Sequence, residues 1–155
     1  MLLTIERVAI LRSIDMFDRT PGYALAAVAA IVEEIEVSSG ETFIHEGSFG
    51  DSMYIVVEGE VEVYSDEKSI IRLGPGKSVG ELAVLDPEPR SASVSAVVDS
   101  FLFRIGKDAF DEVLADRPEI SYGVIRALCQ RIRDQGRLVT NEIPKIGAPP
   151  ADRGE

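Results

Sequence analysis

The stretch that decides the fold prediction is residues 80–94, Gly-Glu-Leu-Ala-Val-Leu-Asp-Pro-Glu-Pro-Arg-Ser-Ala-Ser-Val. Gly80 breaks a strand-like pattern and lets the backbone come close to another group. A short helical turn over residues 81–84 would leave backbone N–H groups pointing outward, where they attract an anion. Arg90 follows Glu81 nine residues later. The stretch therefore predicts a small anion site.

The side chains of this stretch suit a sugar phosphate. Arg90 offers a planar fork of donors for phosphate oxygens, and Ser91 adds a hydroxyl donor. The Glu81 carboxylate can accept a hydrogen bond from a sugar hydroxyl. A simpler interpretation is a surface ion pair between Glu81 and Arg90, worth about 0–1 kcal/mol, with Gly80 as an ordinary turn residue. Spacing alone leaves both interpretations open.

Short strands separated by turns surround this stretch from about residue 35 to residue 106. Turn-forming pairs and triplets recur every 8 to 12 residues or so, and residues 91–96 alternate between polar and apolar. The β-rich runs between the turns are residues 53–57, 61–64, 70–73 and 101–105. This rhythm predicts a small β-barrel or jelly roll.

Helices are predicted on both sides of the β section. In the first, Ile5, Val8 and Ala9 share one face, and in the second Thr20 is expected to be the N-cap with Pro21 at the first helical position. The apolar stripe of the second helix is Leu25, Val28, Ile31 and Val32. After the β section, Ala109, Val113 and Leu114 indicate a third helix. A fourth begins at Pro118, with Ile120, Val124, Leu128 and Ile132 on one face.

The predicted fold class is α+β, a β jelly-roll barrel flanked by N-terminal helices and a C-terminal lid helix. Residues 1–140 are expected to form one domain, because 155 residues suit a single domain of ordinary size. Residues 141–155 are rich in Pro, Gly and charge, and a disordered tail is expected there.

Composition narrows the function further. The net charge of −11 disfavours nucleic-acid binding, and no helix-turn-helix pattern follows the last helix. His45 is the only histidine, which argues against a metal site. Cys129 is the only cysteine and is expected to be a small core residue. No export signal or membrane-spanning run is present, so a cytoplasmic location is expected, with no membrane contact by this chain.

Residues 80–84 and 89–94 resemble the phosphate-binding cassette of cyclic-nucleotide-binding domains. This is the family of the catabolite activator protein, the regulatory subunits of protein kinase A and the cyclic-nucleotide-gated channels. Its pattern is Gly-Glu-aliphatic-Ala-aliphatic, a short variable loop, then Pro-Arg-small-Ala-small-Val. Residues 44–59 resemble the family's strand–turn–strand with structural glycines. The resemblance covers about residues 15–135, and Pro87 in the variable loop is its one unusual feature.

The resemblance implies a role for each residue of the cassette. Arg90 and Ser91 hold the cyclic phosphate, Glu81 takes the ribose 2′-hydroxyl, and Gly80 permits close approach. Backbone N–H groups complete the cradle, and they belong to Leu82, Ala83 and Ala92. In bacterial channel domains with a similar cassette an arginine of the lid helix stacks on the base, and ungapped counting places Arg131 there. Arg131 could equally belong to a solvated arginine face.

The function predicted from these residues is that of a regulatory sensor. It binds cAMP preferentially and some cGMP, and it passes the signal through its last helix to a fused or partner effector. No cofactor, metal or catalysis is expected, and a homodimer is possible. The enzyme alternative would need His45, Ser48 and Asp51, which sit in one turn and form no nucleophile elbow. A further alternative is a degenerate domain that serves in oligomerisation or as a scaffold without ligand.

Overall fold

The structure is a computed structural model that describes residues 1–142, and for residues 138–142 it describes the backbone alone. The helices are α1 Thr4–Arg12, α2 Gly22–Ile31, α3 Lys107–Asp116 and α4 Pro118–Glu142, with a 3-10 turn at Asp15–Phe17. The strands are β1 Glu33–Val37, β2 Thr42–Ile44, β3 Phe49–Gly50, β4 Ser52–Glu58, β5 Val61–Ser65, β6 Lys68–Leu73, β7 Ser78–Val79, β8 Glu88–Pro89, β9 Ser93–Ala96 and β10 Ser100–Gly106. The predicted α+β class and all the predicted strand runs are confirmed.

All strand pairs are antiparallel. One four-stranded sheet has the order β1-β10-β4-β7, the other has the order β2-β9-β5-β6, and β3 pairs with β8 on its own. Non-consecutive strands lie side by side in each sheet, so the chain crosses repeatedly between them. This connectivity brings β8, which ends the variable loop of the cassette, against the turn before β4.

Two apolar clusters fill the domain. Strand β10 contributes to both, because Phe103 and Ile105 face the helices whereas Leu102 faces the second sheet. Phe17, Phe103 and Phe110 are completely buried in the helical cluster, where Phe17 and Phe110 meet edge to face. Truncation of such a phenylalanine to alanine typically costs about 3–5 kcal/mol. The sheet that borders the ligand site is therefore held rigidly from both faces.

The start of α2 differs from the prediction. Helix α2 begins at Gly22 and Pro21 takes the N-cap position, with no side-chain cap. Thr20 is 3% exposed and its hydroxyl has no hydrogen-bond partner among the described residues, because it lies against Gly123 of α4 instead of facing the α2 N–H groups. Thr20 is thus a helix-packing residue, and its prediction as a cap was wrong.

Helix α4 buries less of its predicted face than expected. Ile120 and Val124 are buried and Leu128 is half-buried, but Ile132 is 67% exposed. Cys129 is exposed, so its prediction as a core residue was wrong. The reason is geometric, since Cys129 lies about 100° around the helix from Leu128, away from the domain. The helix continues to Glu142, and residues 143–155 of the predicted tail lie outside the described residues.

An ion pair fastens the N-terminal helix to the first sheet. Arg7 of α1 contacts the Glu34 carboxylate of β1 at 2.8 Å and also donates to the carbonyl of Ala29 at 2.8 Å. The Leu2 backbone N–H donates to the same Glu34 oxygen at 2.9 Å. These hydrogen bonds, the Leu2 N–H foremost, lower the pKa of Glu34 below its ordinary value.

Within residues 1–142 no helix has both the length and the apolar character needed to cross a membrane.

Candidate ligand site

A cavity of about 560 Å³ opens between the cassette and helix α4. It is lined by Gly80, Glu81, Leu82, Ala83, Leu85, Asp86, Glu88, Pro89, Arg90, Ser91, Leu128 and Arg131. Every predicted site residue except Ala92 is in this lining. The structure thus brings the cassette and the predicted lid arginine to one place, and the volume is in the range of small-molecule sites.

The backbone of Arg90 is fixed by the turn that precedes β3. Arg90 N–H donates to the carbonyl of Ser48 at 2.7 Å, and Gly47 N–H donates to the carbonyl of Arg90 at 2.8 Å. Directly before Arg90, Pro89 pairs with Phe49 across β3 and β8. The cassette arginine is therefore held by the upstream glycine-containing segment, far away in sequence.

The Arg90 side chain runs between two glycines. A Cβ atom on Gly50 would lie 1.8 Å from Arg90 Nε, and a Cβ atom on Gly80 would lie 2.5 Å from Arg90 Nη1. Gly80 also has φ = +74°, a conformation that favours glycine. Both positions therefore need glycine if the guanidinium is to sit where it does.

Arg90 is also hydrogen-bonded without any ligand. Its Nη2 donates to the carbonyl of Ser52 at 2.8 Å. The residue is half-buried, whereas from sequence we expect it to be solvated or paired only with an exposed carboxylate in the unliganded chain. That expectation was wrong. One donor of the fork anchors the side chain, and the remaining N–H groups stay available to a bound anion.

Ser52 is itself held in place. It is 3% exposed, and its hydroxyl accepts a hydrogen bond from Arg104 Nη2 at 2.8 Å. Arg104 also pairs with Glu33 of β1. Burial acts to lower the pKa of Arg104, but hydrogen bonds to Glu33 and Tyr54 outweigh it and raise the pKa. A charged Arg104 thus holds the side chain of Ser52, the residue whose backbone carbonyl accepts the hydrogen bond from Arg90.

Residues 80–86 form consecutive tight turns instead of a regular helix. Ala83 N–H donates to Gly80 carbonyl at 3.0 Å, and Asp86 N–H donates to Leu82 carbonyl at 2.7 Å. The predicted cradle N–H of Ala83 is thus engaged within the turn. Within residues 1–142, no backbone carbonyl accepts a hydrogen bond from the N–H groups of Leu82 or Ala92.

Glu81 pairs with helix α4. Glu81 Oε1 lies 3.3 Å from Arg131 Nη2, and the two side chains are 21% and 33% exposed. The alternative of a Glu81–Arg90 ion pair was wrong, since Arg90 turns toward Ser52. Arg131 therefore lines the cavity and pairs with a cassette residue, instead of lying on a merely solvated face.

The charges around the cavity are mixed. Three carboxylates line it, from Glu81, Asp86 and Glu88, beside the guanidinium groups of Arg90 and Arg131. An anion can therefore be held only close to the arginines, which makes the fixed position of Arg90 the important feature. Among the described residues no group of three or more His, Cys, Asp or Glu side chains could hold a metal ion.

Sequence reasoning missed the supporting residues. Gly50 and Ser52 set the position of Arg90, but neither belongs to the cassette. The only signal for Gly50 was its place in the glycine-containing segment 44–59, and nothing in the sequence pointed to the Ser52 carbonyl.

Comparison with known proteins agrees with the fold. Residues 34–117 match the cyclic nucleotide-binding domain family. The chain is 31% identical over 129 residues to the CRP-like cAMP-activated global transcriptional regulator of Mycobacterium tuberculosis, an overlap of 80% of this chain and 58% of that protein. The chain belongs to the cyclic nucleotide-binding domain family.

Solved structures confirm the predicted jelly-roll fold. The N-terminal domain of a transcriptional regulator from Streptomyces coelicolor has a TM-score of 0.77 and 30% identity, over 84% of this chain and 94% of that one. The regulatory domain of Toxoplasma gondii protein kinase A, solved with cAMP, has a TM-score of 0.67 and 30% identity, over 71% of this chain and 44% of that one. This chain spans less than two thirds of the length of the curated relatives that it matches, and 58% of the Mycobacterium tuberculosis regulator.

Proposed function

We propose that this chain is a regulatory module that binds cAMP, and cGMP more weakly, in the cavity between the cassette and α4. The observation that carries the proposal is the placement of Arg90, anchored by the Ser52 carbonyl between Gly50 and Gly80. An arginine fixed in this way presents its remaining N–H groups to an anion with little loss of side-chain entropy.

The cavity suits each part of a cyclic nucleotide. The cyclic phosphate carries one negative charge and would meet Arg90, the Ser91 hydroxyl and the N–H groups of Leu82 and Ala92. The Glu81 carboxylate would accept a hydrogen bond from the ribose 2′-hydroxyl. The base would lie toward Leu128 and Arg131, where a guanidinium can stack on an aromatic ring. Ser91 could also bond the guanine amino group, which is why we include cGMP.

The contact between Glu81 and Arg131 offers a route for the signal. A ribose hydroxyl that approaches Glu81 competes with Arg131 for the same carboxylate, and Arg131 is carried by α4. Binding would therefore change how α4 is held against the cassette. A ligand shifts such an equilibrium only by its different affinity for the two positions of the helix. The effector that receives the change is a fused domain or a partner.

We propose no catalytic activity. The Ser48 hydroxyl donates to the His45 backbone carbonyl at 2.6 Å, so Ser48 and His45 do not form a nucleophile–base pair through their side chains. We also propose no sequence-specific DNA binding by this chain alone, because its net charge is −11.

Calorimetric titration of the nucleotide-free chain tests the proposal, with cAMP, cGMP and 5′-AMP as ligands. We expect saturable heat with cAMP and a higher Kd with cGMP. We expect no saturation by 5′-AMP, because it lacks the cyclic phosphate ring and its open phosphate carries more negative charge. At about 100 times its Kd, cAMP should stabilise the fold by roughly 2.7 kcal/mol.

The outcomes separate the alternatives. No heat and no thermal shift at millimolar cAMP would overturn the proposal and favour the scaffold role. A lower Kd for cGMP would overturn the cAMP preference alone. Turnover of either nucleotide during the titration would contradict the absence of catalysis.

A further inference from the structure

Two carboxylates in the cavity lining have no part in the contacts proposed for the nucleotide. Asp86 and Glu88 both line the cavity, and both residues are exposed. Among residues 1–137, whose side chains the structure describes, neither carboxylate belongs to an ion pair. Glu81, the third carboxylate of the lining, differs because it pairs with Arg131. Asp86 and Glu88 therefore place two uncompensated negative charges beside the anion site.

The prolines of the variable loop restrict the backbone that carries these two carboxylates. Pro87 follows Asp86, and Pro89 follows Glu88. A proline fixes its own φ and disfavours a helical conformation at the residue before it. Glu88 is accordingly in a strand, where it pairs with Gly50 across β8 and β3. The loop thus holds its charges at the cavity with little freedom to turn away, which gives Pro87 a role.

The lining can compensate one negative charge on a ligand but not two. It contains three carboxylates and two guanidinium groups. Because Glu81 and Arg131 pair with each other, Arg90 is the lining guanidinium that remains for a bound phosphate. Arg90 compensates the first negative charge of that phosphate. A second negative charge would meet Asp86 and Glu88, and like charges repel.

We propose that Asp86 and Glu88 penalise a second negative charge on the ligand and so make the cavity discriminate against phosphomonoesters. A cyclic phosphate is a diester with one negative charge. A phosphomonoester such as 5′-AMP has a second pKa of about 6 and carries close to two charges at pH 7. The two ligands share their base and ribose, so charge is a means to tell them apart. The inference rests on the proposed function, because it requires the phosphate to lie beside Arg90.

The expected effect is moderate because both residues are exposed. Water weakens the interaction of exposed charges, so each carboxylate should cost about twofold to threefold in affinity for each negative charge on the ligand. The two carboxylates together should cost about fivefold for each charge. The repulsion should also weaken with salt, because the Debye length falls from about 10 Å at 0.1 M ionic strength to about 3 Å at 1 M.

Three ligands separate the effect of charge from that of ring closure. cAMP has one charge and a closed ring, 5′-AMP has two charges and an open phosphate, and the methyl ester of 5′-AMP has one charge and an open phosphate. Calorimetry of the 155-residue chain at pH 7 gives the Kd for cAMP. Displacement of bound cAMP gives the inhibition constants of the two open ligands.

The test variant is Asp86→Asn/Glu88→Gln. The matched control is Glu112→Gln/Asp116→Asn, which neutralises two exposed carboxylates of α3 outside the cavity lining. Both double variants remove two negative charges from a chain whose net charge is −11. Circular dichroism checks that each variant folds, and the single variant Asp86→Asn or Glu88→Gln replaces a test variant that does not.

In 0.1 M salt the test variant should bind cAMP and the methyl ester each about fivefold more tightly than wild type does. It should bind 5′-AMP about 25-fold more tightly, because the repulsion acts on each charge of the ligand. The ratio of the inhibition constants of 5′-AMP and its methyl ester should therefore fall by about fivefold, and by less in 1 M salt. The control should keep this ratio within about 1.5-fold of the wild-type value.

Failure of this inference is distinguishable from failure of the proposed function. Absence of cAMP binding by wild type would overturn the proposed function and this inference with it. Where cAMP binds, a ratio that changes by less than about twofold in the test variant would overturn the role of Asp86 and Glu88 alone. An equal change in the control, or a change in 1 M salt as large as that in 0.1 M salt, would also overturn that role, because the effect would then not come from charges at the cavity.

Discussion

Arg131 Nη2 lies 3.3 Å from Glu81 Oε1, so the last helix of the domain touches the carboxylate at the start of the cassette. The two residues are 50 positions apart in the chain and belong to elements that share no strand pairing. The contact closes one side of the cavity. It also joins the group that we propose to bind ribose to the helix that we propose to carry the signal.

Removal of this ion pair should change nucleotide binding more than stability. The pair is partly exposed, so a double-mutant cycle with Arg131→Ala and Glu81→Gln should give a coupling of about 0–1 kcal/mol in the unfolding of the unliganded chain. Arg131→Ala should raise the Kd for cAMP by about 3-fold to 30-fold, which is the loss expected for a guanidinium over a base. Urea denaturation and calorimetry measure the two effects. An unchanged Kd would remove Arg131 from the proposed base contact.

Gly50→Ala should impair nucleotide binding without an added charge or a lost donor. The new methyl group would lie 1.8 Å from the present position of Arg90 Nε, so the guanidinium must move away from the Ser52 carbonyl. We expect the Kd for cAMP to rise by at least about tenfold, or 1.4 kcal/mol. Titration with cAMP measures the change.

Gly74→Ala is the matched control for that substitution. No heavy atom lies within 4 Å of a Cβ atom at Gly74, and its φ is not in the left-handed region. The Kd of the Gly74→Ala variant for cAMP should stay within about twofold of the wild-type value. If both substitutions raise the Kd equally, then Gly50 does not act on binding by leaving space for the Arg90 side chain.

Glu34→Gln should make the stability of the fold less dependent on pH in the acidic range. The Leu2 N–H and the Arg7 guanidinium hold the pKa of Glu34 below its ordinary value near 4.3. The ionised carboxylate therefore stabilises the fold fully above that pH, and this contribution disappears as the pH falls through the lower pKa of the folded state. We expect Glu34→Gln to have a lower Tm than wild type at pH 7 and the gap to shrink toward pH 3. A gap that is constant across this range would contradict the assignment.

The sequence predicts the strands and the cassette well because their signals are local. The runs that became β4, β5 and β10 have high β propensity between turn residues, and the cassette is a contiguous pattern. Strand β1 was harder to predict, because three of its five residues, Glu33, Glu34 and Glu36, are charged. Its charges are balanced by Arg7 of α1 and Arg104 of β10, and only the tertiary structure shows these partners.

The sequence could not show which side of α4 faces the domain or what holds Arg90. Ile132 has the same apolar character as the buried Ile120 and Val124, so periodicity placed it in the core. Cys129 was placed there because most free cysteines are buried. The hydrogen bond from the Arg90 side chain to the Ser52 carbonyl joins the cassette to β4 through a backbone atom, which no side-chain pattern encodes.

Arg90→Ala should weaken cAMP binding by roughly 30-fold to several thousand-fold, because loss of one partner from a buried, hydrogen-bonded charge pair typically costs about 2–5 kcal/mol. The phosphate would face only backbone donors and the Ser91 hydroxyl. Arg90→Lys should recover part of the affinity, since one ammonium group cannot both bond the Ser52 carbonyl and grip the phosphate with two donors. Calorimetry of both variants against wild type measures the loss.

The same substitution also has a predicted effect on the unliganded fold. Loss of the hydrogen bond to Ser52 should lower the free energy of unfolding by about 0.5–1.5 kcal/mol, which a domain of this size tolerates.

Ser91→Ala is the matched control, because it removes an exposed hydroxyl from the same cavity and should cost less affinity than Arg90→Ala. Two results would contradict the role of Arg90. One is cAMP binding by Arg90→Ala within about threefold of wild type, or under about 0.7 kcal/mol. The other is failure of the variant to fold without ligand, which would make Arg90 a structural residue.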